Sequence, residues 1–177
     1  GRPGEAPGPP TGRQARERAA RLGFLHGPLG IRMRRRVGLF VTCLVDLFRP
    51  SVGFAAVRLL EDAGCAVVVP AGQTCCGQPA WNAGDRRTAR DLALAVLDAF
   101  ADVEHVVAPS GSCTGMLRQF PEVLGAEHPR HGEAAALAAR AFELTAFLVD
   151  VCGWTPPPGP GGEARAAAAP VVTYHDG

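Results

Sequence analysis

The sequence predicts an α/β fold, a parallel sheet with flanking helices, and three observations predict it. Short unbroken apolar runs rich in β-formers recur along the chain, stretches with helical apolar spacing separate them, and the connections are short. That alternation is the signature of βα units joined by crossover connections. Strands covered on both faces read as continuous apolar runs rather than as alternating ones. The expected architecture is a three-layer sandwich whose ligand sites form where strand ends meet.

The first expected strand is Val37 to Thr42, followed by Cys43. After the start signal Pro50-Ser51, apolar residues at 52, 55, 56, 59, 60 and 63 set a helix that Gly64 ends. The second strand, Cys65 to Val69, stops at Pro70 and a turn-rich loop holding Cys75-Cys76-Gly77. Ala89, Leu92, Ala93, Val96, Leu97 and Phe100 then share one helical face, with Arg86, Arg87, Arg90, Asp91 and Asp98 mostly elsewhere. The third strand is His105 to Ala108, closed by Pro109-Ser110-Gly111-Ser112-Cys113. Leu137, Ala141, Leu144, Leu148 and Val151 predict one long helix from about Glu133 to Val151. A fourth strand is expected at Val171 to Tyr174, just before the sequence stops at Gly177, so the chain reads as a fragment.

Four regions follow. Residues 1–36 mix Gly, Pro, Ala and Arg without periodicity and read as a disordered basic tail, or as residues upstream of a natural start at Met33. Residues 37–154 form the cysteine-rich domain, residues 155–170 a Pro/Gly/Ala-rich linker, and residues 171–177 the first strand of a further unit.

With 177 residues and 47% hydrophobic content, the chain can bury a single core. A net charge of +1 with 20% charged residues carries no strong field for nucleic acid or a membrane surface. The cluster Arg32, Arg34, Arg35 and Arg36 reads as a solvated tail. No run approaches the roughly 20 apolar residues of a membrane span, and no signal-type segment opens the sequence. A reducing cytoplasm is the expected compartment, and six cysteines in a chain of this length and periodicity do not read as a disulfide scaffold.

Cys43, the pair Cys75-Cys76, and Cys113 each follow an apolar run, with 31 and then 36 residues intervening. If the runs are parallel strands, the four thiols converge from three loops on one crevice. Thiolates suit zinc or an iron-sulfur cluster, and a cluster needs about four of them. Adjacent cysteines are awkward ligands for a closed tetrahedral zinc, whereas several irons offer several points of attachment. Gly77 removes bulk beside the pair, and the amides there and at Gly111 and Ser112 are placed to donate to cluster sulfides. Cys65 and Cys152 read as core residues. Among the other polar residues, His175 follows the fourth expected strand and is a candidate for the same sheet edge, Asp46 and Gln78 flank the cysteine loops, and His105, Trp81 and Trp154 read as packing residues. No phosphate loop, hydrolase triad or nucleotide fingerprint is present. Two other chemistries fit the cysteines: a zinc-binding structural or assembly module, and a vicinal dithiol at Cys75 and Cys76 with an oxidising potential.

The segments Leu39-Phe40-Val41-Thr42-Cys43-Leu44-Val45-Asp46, Gln73-Thr74-Cys75-Cys76-Gly77-Gln78-Pro79-Ala80 and Ala108-Pro109-Ser110-Gly111-Ser112-Cys113 resemble the cysteine-rich CCG-domain family. That family includes the iron-sulfur subunit of glycolate oxidase and a cysteine-rich subunit of heterodisulfide reductase. The resemblance implies a pseudo-duplicated α/β architecture, here cut before its second repeat. It also implies an iron-sulfur cluster, of 4Fe-4S type, held by Cys43, Cys75, Cys76 and Cys113. The function it implies is electron transfer as a subunit of an L-lactate oxidising complex, with the other subunits of that complex as partners. Family members often carry one more cysteine three residues beyond or before the last one; here those positions hold Met116 and Ser110.

Overall fold

The computed structural model describes residues 34–155, and these build a four-stranded, all-parallel sheet in the order β2-β1-β3-β4. The strands are β1 (Arg36–Leu39), β2 (Ala66–Val68), β3 (His105–Ala108) and β4 (Ala141–Glu143). Between β1 and β2 lie α1 (Cys43–Phe48) and α2 (Pro50–Asp62), and between β2 and β3 lie α3 (Gln78–Asn82) and α4 (Arg86–Ala99). After β3 come α5 (Gly111–Arg118), α6 (Phe120–Leu124) and α7 (His131–Ala139); after β4, α8 (Leu144–Ala146) runs into a π turn at Phe147–Val151. The α/β class expected from the sequence is the class observed.

Successive residues on a strand face opposite ways, and both faces here are apolar. Phe40, Val106 and Ala108 pack with α4, α5, α6 and α7 in one buried cluster, while Val37, Leu39 and Val107 pack with α2 and the π turn in another. Two covered faces explain why β1 and β3 read as unbroken apolar runs.

Three expectations need correction. The helix expected from Glu133 to Val151 is broken after Ala139, and Ala141–Glu143 becomes β4, pairing Val106 with Ala141, Val107 with Phe142 and Ala108 with Glu143. The apolar spacing around Ala141 suits either state, so sheet pairing decided it: without β4, the outer edge of β3 would present unpaired amides and carbonyls. The Arg140 guanidinium locks the turn by donating to the carbonyls of Phe100, at 2.9 Å, and Val103. Second, Cys43 and Cys113 lie in the first turns of α1 and α5 rather than in loops. Third, β1 ends at Leu39 instead of Thr42 and begins at Arg36, a residue expected in the tail.

Residues 1–33 and 156–177 lie outside the described residues. With them go most of the basic tail, the start at Met33, nearly all of the linker, the strand expected at Val171 to Tyr174, and His175. Among the described residues no helix is long and apolar enough to cross a membrane.

Candidate functional site

The sheet order sets the location of the site. The chain leaves β1 toward α2 on one face and leaves β3 toward α5 on the other, so the connections diverge beyond the carboxyl ends of these neighbouring strands. Such a divergence opens a crevice where ligands bind in doubly wound sheets. Cys43 follows β1, Cys113 follows β3, and Cys75-Cys76 follow β2.

Each cysteine is held by local structure the sequence supplies. Thr42, buried, caps α1 by accepting from the Val45 amide at 3.4 Å, which sets Cys43 as the first helical residue. Ser110 caps α5, its hydroxyl accepting from the Cys113 amide at 3.4 Å, while the Thr114 hydroxyl donates to the Ser110 carbonyl at 2.8 Å. The loop carrying Cys75 and Cys76 is tied to the end of β1 by Gln73, whose Oε1 accepts from the Val41 amide at 2.8 Å. Gln73 belongs to the Cys-Cys-Gly segment, yet its clamping role is invisible in sequence because the partner is a backbone amide 32 positions away.

Gly77 turns the chain from Cys76 into α3 with φ +86°. A Cβ there would meet only Ala89 and Leu92 of α4 at ordinary contact distance, 3.6 Å. Glycine here serves the left-handed backbone that L side chains disfavour.

The four cysteines fall into two pairs. Cys76 donates to Cys113 at 3.6 Å, both buried. Cys43, exposed, and Cys75, half-buried, form the second pair. Partial desolvation, then the charge and hydrogen bond of Cys75, then the charge of Cys113, raise the Cys43 pKa. In the buried pair the proton stays on Cys76, which its bond to Cys113 and then burial push far up, against the opposing Gln78 amide. Cys113 is drawn down to about 6, chiefly by that bond and further by the hydroxyls of Ser110 and Ser112, against its burial. The crevice thus holds a thiolate near neutral pH, with Gly111 and Ser112 in the free-amide first turn of its helix. Beside the outer pair opens a cleft of about 370 Å³, lined by Cys43, Cys75, Asp46, Gln73 and Thr74 among others.

Among the described residues, no three His, Cys, Asp or Glu side chains converge tightly enough to hold one metal ion. A closed zinc site needs four ligands all within about 2.3 Å of a single point, whereas a cluster binds each thiolate at a separate iron. Met116 is buried in the core, and Trp81 packs against the same core with Arg86 stacked 3.7 Å from its ring centre.

Residues 37–118 match the family model of the CCG cysteine-rich domain. This segment belongs to the cysteine-rich CCG family. The match covers β1 through α5 and thus contains all four site cysteines of the CCG domain. The chain is 51% identical over 116 residues to lactate utilization protein A of Geobacillus kaustophilus, covering 66% of this chain and 48% of that relative. It is 48% identical over 118 residues to the protein of that name in Bacillus subtilis, covering 67% and 50%. The Exiguobacterium protein of that name is 49% identical over 141 residues, covering 78% and 55%. The chain spans about half the length of the curated relatives it matches. No solved structure matches it significantly.

Proposed function

We propose that the CCG domain is an iron-sulfur electron-transfer module of an L-lactate oxidising system, with Cys43, Cys75, Cys76 and Cys113 as ligands. What supports this reading is that Cys43, Cys75-Cys76 and Cys113 follow the carboxyl ends of β1, β2 and β3, with the Cys76 and Cys113 sulfurs 3.6 Å apart and the Cys113 pKa drawn down to about 6. Soft sulfur donors of this number fit a cluster of 4Fe-4S type. Bound there, the cluster would supply one-electron transfer. The chain's own residues do the rest: Ser110 and Thr42 fix the helical turns that present Cys113 and Cys43, and Gln73 pins the Cys75-Cys76 loop. Asp46, Thr74 and Gln73 line a polar approach, the cleft beside the outer pair.

The substrate rests on the relatives, whose names speak of lactate utilization. Partners in this reading are the other subunits of a lactate oxidation complex, which deliver and remove electrons, and the compartment is the reducing cytoplasm, where free thiols persist.

Anaerobic reconstitution with iron and sulfide tests the proposal. Broad visible absorption with bound iron and acid-labile sulfide is expected, together with its loss in Cys76→Ser and Cys113→Ser. Colourless protein after reconstitution, or stoichiometric zinc without sulfide, overturns it. A second reading, thiol-disulfide exchange, is favoured by one observation: the low-pKa Cys113 stands 3.6 Å from Cys76. The partner in that contact is Cys113 and not the vicinal Cys75. A Cys76–Cys113 disulfide formed reversibly in protein that takes up no cluster is the result that would select this reading.

A further inference from the structure

The two cysteines outside the candidate site are also neighbours. Cys65 directly precedes β2, and Cys152 directly follows the π turn, so they lie 87 positions apart in sequence. Their sulfurs stand 3.9 Å apart. Both belong to the apolar cluster on the α2 face, Cys65 fully buried at 2% exposure and Cys152 half-buried at its margin. Cys65 sits at the amino end of its strand, whereas Cys43, Cys75, Cys76 and Cys113 follow the carboxyl ends of theirs. The pair is therefore separate from the candidate cluster site.

We propose that Cys65 and Cys152 form a second thiol site, a dithiol that closes to an intramolecular disulfide by exchange with a low-molecular-weight disulfide. The half-buried Cys152 reacts first: its thiolate attacks one sulfur of the small disulfide, forms a mixed disulfide and releases one small thiol. Cys65 then attacks the Cys152 sulfur, releasing the second small thiol. Two protein thiols are oxidised, one small disulfide is reduced to two thiols, and the two protons leave with them. Excess small thiol reverses both steps.

The surroundings support that order. Gly64 and Gly153 flank the two cysteines with φ +85° and +61°, and beside each lies open space where a side chain would otherwise stand. An S–S bond of about 2.05 Å requires the sulfurs to close by roughly 2 Å, a shift that a residue ending the last turn of the described domain can make. Burial first, then the charge and hydrogen bond of Cys152 and the charge of Glu104, push Cys65 up to about 11, with the Arg35 guanidinium opposing. Arg35 is held beside the pair by donating to the Val151 carbonyl at 2.8 Å. Closure of the mixed disulfide should accordingly quicken as pH rises, as the thiolate fraction of the buried Cys65 grows.

The experiment treats the full chain with oxidised glutathione and maps its disulfides by non-reducing tryptic digestion. Cys152 is the one cysteine between Arg140 and Arg165, so its peptide reports it alone; Cys65 shares its peptide with Cys75 and Cys76, and fragment ions place the bridge. A Cys65–Cys152 bridge is expected, with a rise in Tm of roughly 10 °C because the bridge closes a loop spanning most of the domain. Both should vanish on reduction and in Cys152→Ser. A bridge from Cys152 to Cys75 or Cys76, or Cys152 remaining a mixed disulfide at high pH while Cys65 stays alkylatable, overturns the proposal. The mapping needs no variant, so a failure of Cys65→Ser to fold would not obscure it. The outcome is independent of cluster content, which is read separately from iron and sulfide.

Discussion

A Cβ at Gly38 would stand 2.7 Å from Cδ1 and 2.9 Å from Cε1 of Phe100, and 3.0 Å from Val103 Cγ2. Phe100 is fully buried and rests 5.7 Å, centroid to centroid, from the Phe40 ring, so it has nowhere to retreat. Gly38→Ala should cost about 1–3 kcal/mol by overpacking, read as a fall in the urea midpoint, whereas Gly72→Ala, with open space around it, should move stability by under about 0.5 kcal/mol. His105 offers a pH signature. Its ring lies against Phe142 and Phe147, its Nδ1 is buried without a partner, and burial holds its pKa below the ordinary 6.5. Below that ordinary value the unfolded chain binds the proton more readily than the folded one, so stability rises with pH through the window ending near 6.5 and is lost on acidification. In His105→Asn this part of the pH dependence, followed by thermal unfolding, should disappear. The sequence reading of His105 as a packing residue agrees with this position; its unpaired nitrogen was invisible because the aromatic neighbours arrive from β4 and the π turn.

Among elements, α5 does most to shape the site. Its cap, Ser110, serves both the helix and the sulfur: the hydroxyl accepts from the Cys113 amide and helps hold Cys113 down at about 6. Ser110→Ala should therefore cost about 1 kcal/mol of stability and also raise the pH at which the first thiolate of cluster-free protein appears in ultraviolet absorption. β4 is the element whose sequence reads as helix. Its connection depends on Arg140, half-buried and bonded to two carbonyls of the α4–β3 turn. Arg140→Ala should cost about 1–3 kcal/mol, since it strands those carbonyls, and amide exchange in Ala141–Glu143 should accelerate more than in β1. Helices α2 and α4 were legible because each carries a start signal and an apolar face against the sheet. Helix α5 was not, because its eight residues begin inside the run Pro109-Ser110-Gly111-Ser112, whose composition reads as a loop while Ser110 is the cap.

At the level of the whole molecule, the domain is held by two apolar clusters on opposite faces of one sheet, built mostly from residues other than the site cysteines, although Cys76 and Cys113 belong to one of them. The fold should then outlast its inorganic group, unlike a small zinc domain that unfolds without metal. Protein stripped by chelator is expected to keep its far-ultraviolet circular dichroism and a cooperative unfolding transition, while the Cys43 and Cys75 thiols become quickly alkylatable; collapse to an unfolded spectrum would show the group to be structural.

By itself the sequence determined the α/β class and the strands β2 and β3 to within about a residue at their ends, and it marked four cysteines that follow strands, because apolar period and residue chemistry are local properties. Only the tertiary structure decided that Ala141–Glu143 joins the sheet, that Cys76 pairs with Cys113 while Cys43 faces Cys75, and that Cys65 meets Cys152. Those outcomes depend on edge pairing and on contacts between residues tens of positions apart, and the free energy that selects them exists only once the sheet has brought the segments together.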